Sequence, residues 1–359
     1  MIAKEKNGLI NIIKFLMILA IMWGHYDYII SDEFSSVQIS FGITHLAHDN
    51  LGNFVFVFFC ISGFFAFEYS FNKLNERKSS SIGPFILNKI KRLYPLMILS
   101  IAFYLILAII FRLSYGHFWA GRDFSLSQTI LSFLGIENIV DSFTGINGPI
   151  WFVSVLMLCL VIFCLISASK LSKPYKLCLF AFLIILGLIS INYNWSFILL
   201  SGKVARAYIA FFSGALISYL FGRFKNLRRL RWAISLLALS GIYFVFSLLT
   251  GENHIGSAMI VIAFIFFPAL IVIGECKYAK KIFNNSVTDK LAEVSYAMFL
   301  FHIPVYLLIN LIFKDSLNYN SWLALLIISI VVIALSFLFN WLNKKFINTI
   351  SKKPANTNL

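Results

Sequence analysis

LINIIKFLMILAIMWGH, running from Leu9 to His25, is apolar enough to enter a membrane, yet it carries a lysine and a histidine eleven residues apart. A helix turns about 100° per residue, so that spacing returns Lys14 and His25 to within about 20° of one face, roughly 16 Å apart along the axis. A charge inside hydrocarbon is costly, and residues of this kind face a cavity, a partner or a pathway. The stretch therefore predicts a membrane helix with one polar seam, and that seam is the first candidate for a functional site.

The rest of the chain extends this reading. Of 359 residues, 60% are hydrophobic and 13% charged, which excludes the ordinary water-soluble classes. Apolar runs of span length begin near Leu9, Leu51, Leu93, Pro149, Leu177, Val204, Trp232, Ser257, Val294 and Trp322. The expected fold is all-α, a polytopic transmembrane bundle of about ten spans surrounded by membrane lipids, and an even count puts both termini on one side. The net charge of +15 invites a nucleic-acid reading, but the basic residues follow alternate loops. Twenty-four of the 30 lysines and arginines fall on one side, against Arg112, Arg122, Lys203, Arg206 and Lys314 on the other. The positive-inside rule places both termini in the cytoplasm and makes the basic surplus topological, with no nucleic-acid partner.

The basic start and apolar run resemble a signal peptide, but the run is long and lacks a small-residue cleavage site, so it reads as an uncleaved first span. The five cysteines show no metal-ligand spacing; no metal site and no structural disulfide are expected. Residues 1–345 form one integral membrane domain and 346–359 a polar cytoplasmic tail, with no room for an appended soluble domain. The longest external segment, 113–148, is rich in glycine and aromatics and could cover an external opening. The cytoplasmic loop from Asn72 to Lys91 becomes an amphipathic basic stretch before span three, a candidate anion site.

Four groups of residues could carry chemistry. His25 lies about 24 Å from the cytoplasmic start of span one, in the outer half of the bilayer. There a neutral imidazole could act as general base on a hydroxyl, or be a core histidine bonded to a neighbouring helix. Lys14 sits about 7 Å inside the cytoplasmic edge, where it either snorkels to the headgroups or serves the seam it shares with His25. Lys89 and Arg92, three residues apart, are neighbours on one helical face and suited to phosphate, although topology alone explains basic residues there. Ser295 and His302 share a face of span nine, and Pro304 just beyond frees carbonyls that polar neighbours must satisfy; His302 either satisfies them or contacts a ligand. Trp151, beside Pro149 at a span start, is an interfacial anchor or a substrate contact. Arg206, near the outer start of span six, is either an acceptor contact or one of the external cations.

Taken together, these residues resemble the acyltransferase-3 family of integral membrane acyltransferases, of the polysaccharide or lipopolysaccharide O-acetyltransferase type. The family's arginine, ten residues, histidine signature stands here as Lys14 to His25, with lysine replacing arginine. Its Ser-Gly-Phe element is Ser62-Gly63-Phe64, and its basic pair before a proline is Lys89 to Arg92, then Pro95. The late motif is matched by Ser295, Tyr296, Phe299, Leu300, His302 and Pro304. The acid that often follows the mid-chain tryptophan is absent, since Trp151 is followed at that spacing by Leu156.

The resemblance implies a multi-pass protein of the bacterial inner (cytoplasmic) membrane that moves an acyl group, in the first instance acetyl, from cytoplasmic acyl-CoA to a hydroxyl of a surface glycan or its lipid-linked precursor. It implies no permanently bound cofactor, with acetyl-CoA as donor substrate. Lys14, Lys89, Arg92 and Ser295 would hold the donor, His25 would take the hydroxyl proton, Tyr296 or His302 would stabilise the oxyanion, and Trp151 would contact the acceptor. A transporter or flippase for a glycan or other amphiphile is the alternative, because buried Lys and His also suit a proton-coupled carrier.

Overall fold

The computed structural model describes residues 7–26, 29, 51–77, 82–119, 125–139, 145–224, 229–250, 255–313, 319 and 321–351. The helices, in chain order, are α1 (Gly8–Gly24), α2 (Leu51–Arg77), α3 (Ile82–Tyr115), α4 (Leu126–Leu134), α5 (Ile150–Ala168), α6 (Lys173–Asn192), α7 (Gly202–Arg223) and α8 (Leu230–Thr250). They continue with α9 (Ile255–Val261), a π-helical turn (Ile262–Phe266), α10 (Phe267–Glu275), α11 (Lys277–Phe283), α12 (Ser286–Phe313) and α13 (Trp322–Ser351). No β-strand occurs among the described residues. Eight helical segments there are long and apolar enough to cross a membrane, and α1 and Leu230–Phe246 are shorter apolar helices. The chain is an all-α polytopic membrane bundle.

α1 differs from the full span expected of it. It has 17 residues, about 25 Å of helix, and stops at Gly24, with His25 as its C-cap at φ −101°, ψ 10°. Bonds from other helices take over where its own ladder ends. The Tyr306 hydroxyl donates to the Met22 carbonyl (2.6 Å), Tyr26 donates to the Tyr319 carbonyl (3.0 Å) and Asn310 Nδ2 donates to the Ile29 carbonyl (3.0 Å). Trp23 adds a 3.0 Å bond to Ser329 Oγ of α13. His25 is thereby fixed between α1, α12 and α13.

The bundle is built on close helix crossings. A Cβ on Gly63 would strike the Phe211 carbonyl, and one on Gly214 would strike the Cys60 carbonyl, so α2 and α7 approach backbone to backbone at two reciprocal glycines. Both α7 and α12 are buried along most of their length.

Three features depart from the pattern of spans and loops. The segment between α3 and α5 contains α4, opened by a Ser125/Gln128 capping box and closed by Gly135 at φ 65°; residues 120–124 and 140–144 of that segment lie outside the described residues. In the span that begins near Ser257, Pro268 offers no N–H to the Phe264 carbonyl, and the backbone there takes a π-helical turn. The last helix continues to Ser351, so the stretch expected as a polar tail starts helical, and 352–359 lie outside the described residues.

Lys176 shows that not every basic residue is topological. It is 1% exposed, and its Nζ donates to Asn75 Oδ1 and to the Ser167 carbonyl, each at 2.6 Å, tying α6 to α2 and α5.

Candidate active site

The site begins with Pro304. Without an N–H it leaves the Leu300 carbonyl with no partner one turn back on α12. Asn147 supplies the missing donor from just before α5, with Nδ2 2.8 Å from that carbonyl and 3.3 Å from Ser100 Oγ of α3. His302, one of the expected satisfiers of freed carbonyls, is thus available for other bonds. Its Nδ1 lies 3.2 Å from the Met298 carbonyl, an obligate acceptor, so the proton sits on Nδ1 and the lone pair on Nε2. That Nε2 lies 3.0 Å from Nδ1 of His25, with the two ring planes 17° apart.

The chain of donors fixes both tautomers. His25 donates through Nδ1 to His302 and therefore carries its own lone pair on Nε2. His302 is fully buried between Tyr306, perpendicular at 5.8 Å between ring centroids, and Phe299 at 6.3 Å.

His25 lines a cavity of about 260 Å³. Phe56 and Phe59 of α2, Trp151 and Phe299 form much of its apolar wall, and Gly148 and Pro149 form an edge. Two cations from the first two turns of α7, Lys203 and Arg206, complete it. Lys203 Nζ sits 5.0 Å from the Trp151 ring centroid. Its charge also reaches Glu137, a carboxyl only 1% exposed in the segment after α4. Burial pushes the Glu137 carboxyl up to about 7, against the opposing pull of the Ser132 hydroxyl, the Gly145 backbone and Lys203.

A second cluster lies toward the basic end of the bundle. Lys14 places Nζ 5.6 Å from the Phe65 ring centroid of α2, within Coulombic reach of Arg92 on α3. Arg92 also faces Tyr296 of α12, whose hydroxyl donates to the Leu93 carbonyl at 2.9 Å. Lys89 stands over Phe85 at 5.3 Å, on the side of Cys164. Ser295 turns its hydroxyl back to the Leu291 carbonyl of its own helix, at 2.6 Å.

The sequence-derived residues thus divide into two places. His25 and Trp151 line the cavity, with His302 bonded to His25 behind its wall, whereas Lys14, Arg92 and Tyr296 meet at the basic end. Tyr296, expected beside His25 as an oxyanion donor, stands with Arg92 and is engaged with Leu93. Sequence reasoning assigned Lys203 to topology, although its spacing of three from Arg206 puts both on one face. It did not single out Glu137 or Asn147, and a lone carboxylate among glycines and aromatics gives no local signal.

An all-α membrane bundle in which one histidine of a bonded pair lines a mostly apolar cavity defines a multi-pass membrane protein with a candidate reaction or binding site among its helices. The family model described as "Acyltransferase domain" (acyltransferase-3) matches residues 7–341, and the chain belongs to that family, whose members are membrane acyltransferases. Searches of curated proteins and of solved structures each returned no match.

Proposed function

We propose that this acyltransferase moves an acyl group, in the first instance acetyl, from acyl-CoA to a hydroxyl of a surface glycan or its lipid-linked precursor, at the bacterial inner membrane. The observation that carries the reading is the His25–His302 pair, whose tautomers put the lone pair of His25 on Nε2 of a residue that lines a cavity.

In this scheme acyl-CoA enters from the cytoplasmic, basic side. Lys14 and Arg92 hold its phosphates, with Lys89 close by on the same helix as Arg92. The pantetheine arm covers the roughly 16 Å along α1 from Lys14 to His25. No prosthetic group is needed, because the donor brings its own activated thioester.

At the cavity, His25 Nε2 takes the proton of the acceptor hydroxyl as its oxygen attacks the thioester carbonyl carbon. His302 holds the resulting imidazolium through its Nδ1–H. Negative charge grows on the carbonyl oxygen beside Lys203, against the apolar wall of the cavity. The C–S bond then breaks, and the CoA thiolate leaves and takes up the proton from His25. Tyr296 holds the Arg92 helix in place through Leu93, and Trp151 offers an aromatic face to the acceptor.

The test is label transfer from radiolabelled acetyl-CoA to the glycan fraction of membranes carrying the wild type, His25→Ala or the Lys89→Gln/Arg92→Gln double variant. Incorporation with the wild type and its loss in His25→Ala at equal protein level is the expected result. Full incorporation in His25→Ala would remove the histidine from the reaction. A carrier would tolerate the loss of charge at Lys89 and Arg92, whereas a CoA-dependent transferase would not.

A further inference from the structure

We propose that the acceptor carries an anionic group, a carboxylate or a phosphate, and that Arg206 seats it in the cavity beside His25. The assignment deepens the acyl-transfer reading and rests on it for the place of the reacting hydroxyl.

The inward-facing cations are balanced in different ways. Lys176 is satisfied by Asn75 and Ser167, and Lys203 stands over the Trp151 face. Arg206 lines the same cavity as His25, and among the described residues no acidic group is paired with it. A partly buried guanidinium is stabilised by a counter-charge, and a ligand in the cavity that Arg206 lines can bring one. Its planar fork matches the two oxygens of a carboxylate or phosphate.

The surroundings keep that fork at the wall. A Cβ on Gly52 of α2 would come within 3.1 Å of Arg206 Nη1, so glycine there leaves the guanidinium its place. The first two turns of α7 carry both cations, and its N-terminus adds the positive end of the helix dipole. In the proposed scheme the donor's phosphates have their own cations, Lys14 and Arg92 at the basic end, with Lys14 about 16 Å along α1 from His25. The charge at Arg206 is therefore surplus to donor binding and falls to the acceptor.

The experiment is calorimetric titration of the purified full-length protein in detergent with two matched pairs: methyl glucuronide against methyl glucoside, and glycerol 1-phosphate against glycerol. The wild type should bind at least one anion tenfold or more tighter than its neutral partner. Arg206→Gln should abolish that preference, and Arg206→Lys, which keeps charge without the fork, should lose several-fold. Glucuronide preferred over glycerol phosphate assigns the site to an acidic sugar, and the reverse to a phosphate-bearing acceptor. Equal binding of charged and neutral probes, no binding of either anion by the wild type, or a preference that survives in Arg206→Gln would overturn the proposal. Label transfer from acetyl-CoA is read on the same preparations. Anion preference without transfer would count against the transferase reading and leave the anion site standing. Equal transfer to charged and neutral acceptors would do the opposite.

Discussion

His302 meets His25 with a bare nitrogen: its Nε2 lies 3.0 Å from Nδ1 of His25 while its own Nδ1–H is directed at the Met298 carbonyl, 3.2 Å away. Two neutral imidazoles in series have only one arrangement of protons that satisfies this geometry. It leaves the lone pair on Nε2 of His25, the member of the pair that lines the cavity.

His302→Ala removes the acceptor that holds His25 in that tautomer. Acyl transfer should fall roughly 100-fold, within the range that positioned general-base assistance covers. The loss should sit in kcat, with KM for acyl-CoA unchanged, because Lys14 and Arg92 lie elsewhere. His302→Gln, whose side-chain oxygen can accept from Nδ1–H, should restore part of the rate. Steady-state kinetics in membranes separates these outcomes, and a change confined to KM would contradict the positioning role.

Tyr296→Phe should give the reverse pattern. Its hydroxyl bonds the Leu93 carbonyl next to Arg92, so losing it frees the basic helix where the donor is proposed to bind. A neutral hydrogen bond of this kind is worth about 1 kcal/mol. KM for acyl-CoA should rise several-fold while kcat holds, and a kcat loss at unchanged KM would return Tyr296 to the chemistry.

Asn147 and Pro304 should be energetically coupled. Asn147→Ala leaves the Leu300 carbonyl without the donor that Pro304 cannot provide, at a cost of about 1–3 kcal/mol. In a Pro304→Ala background the helix regains its own N–H, and the same substitution should cost less. A double-mutant cycle of thermal midpoints in detergent measures the difference. Strictly additive effects would mean that Asn147 serves some other bond.

Gly63→Ala should destabilise the bundle although it adds a single methyl group. That methyl meets the Phe211 backbone carbonyl, which cannot rotate away as a side chain could. Overpacking of this sort costs about 1–3 kcal/mol. The thermal midpoint and membrane yield of Gly63→Ala should drop. Ala at Gly241, where a Cβ would meet nothing within 4 Å, should be tolerated.

The contrast between these residues explains what the sequence could and could not disclose. Hydropathy and basic-loop spacing revealed the bundle because burial in lipid imposes a local compositional demand on every span. The Lys14 and His25 seam and the Ser295 to Pro304 segment were legible because helical periodicity places their members in advance. The short α1 was not legible: Tyr306 and Asn310, about 280 residues away in the chain, take the carbonyls that would otherwise continue it. The capping box before α4 was present in Ser125 and Gln128 but stood in a segment whose glycines read as loop. Asn147, Lys203 and Glu137 acquire meaning only through long-range packing, which leaves no periodic trace.

Glu137 provides a test of that packing through pH. Its carboxyl is held near 7 by burial, well above its ordinary value of 4.5, so the folded protein binds this proton more tightly than the unfolded chain does. Below about 4.5 both states are protonated and the residue contributes nothing to pH dependence. As pH rises from 4.5 to 7 the unfolded chain ionises first, and stability falls across that window until the folded carboxyl ionises too. Above 7 the accumulated loss is on the order of 1–3 kcal/mol, since each tenfold difference in proton affinity between the two states corresponds to about 1.4 kcal/mol. Glu137→Gln cannot ionise and should remove this fall. Its thermal midpoint in detergent should match the wild type at pH 4.5 and exceed it at pH 8. A wild-type midpoint that climbs between pH 4.5 and 7 in a Glu137-dependent way would mean that Lys203 pairs with an ionised carboxylate strongly enough to outweigh its burial.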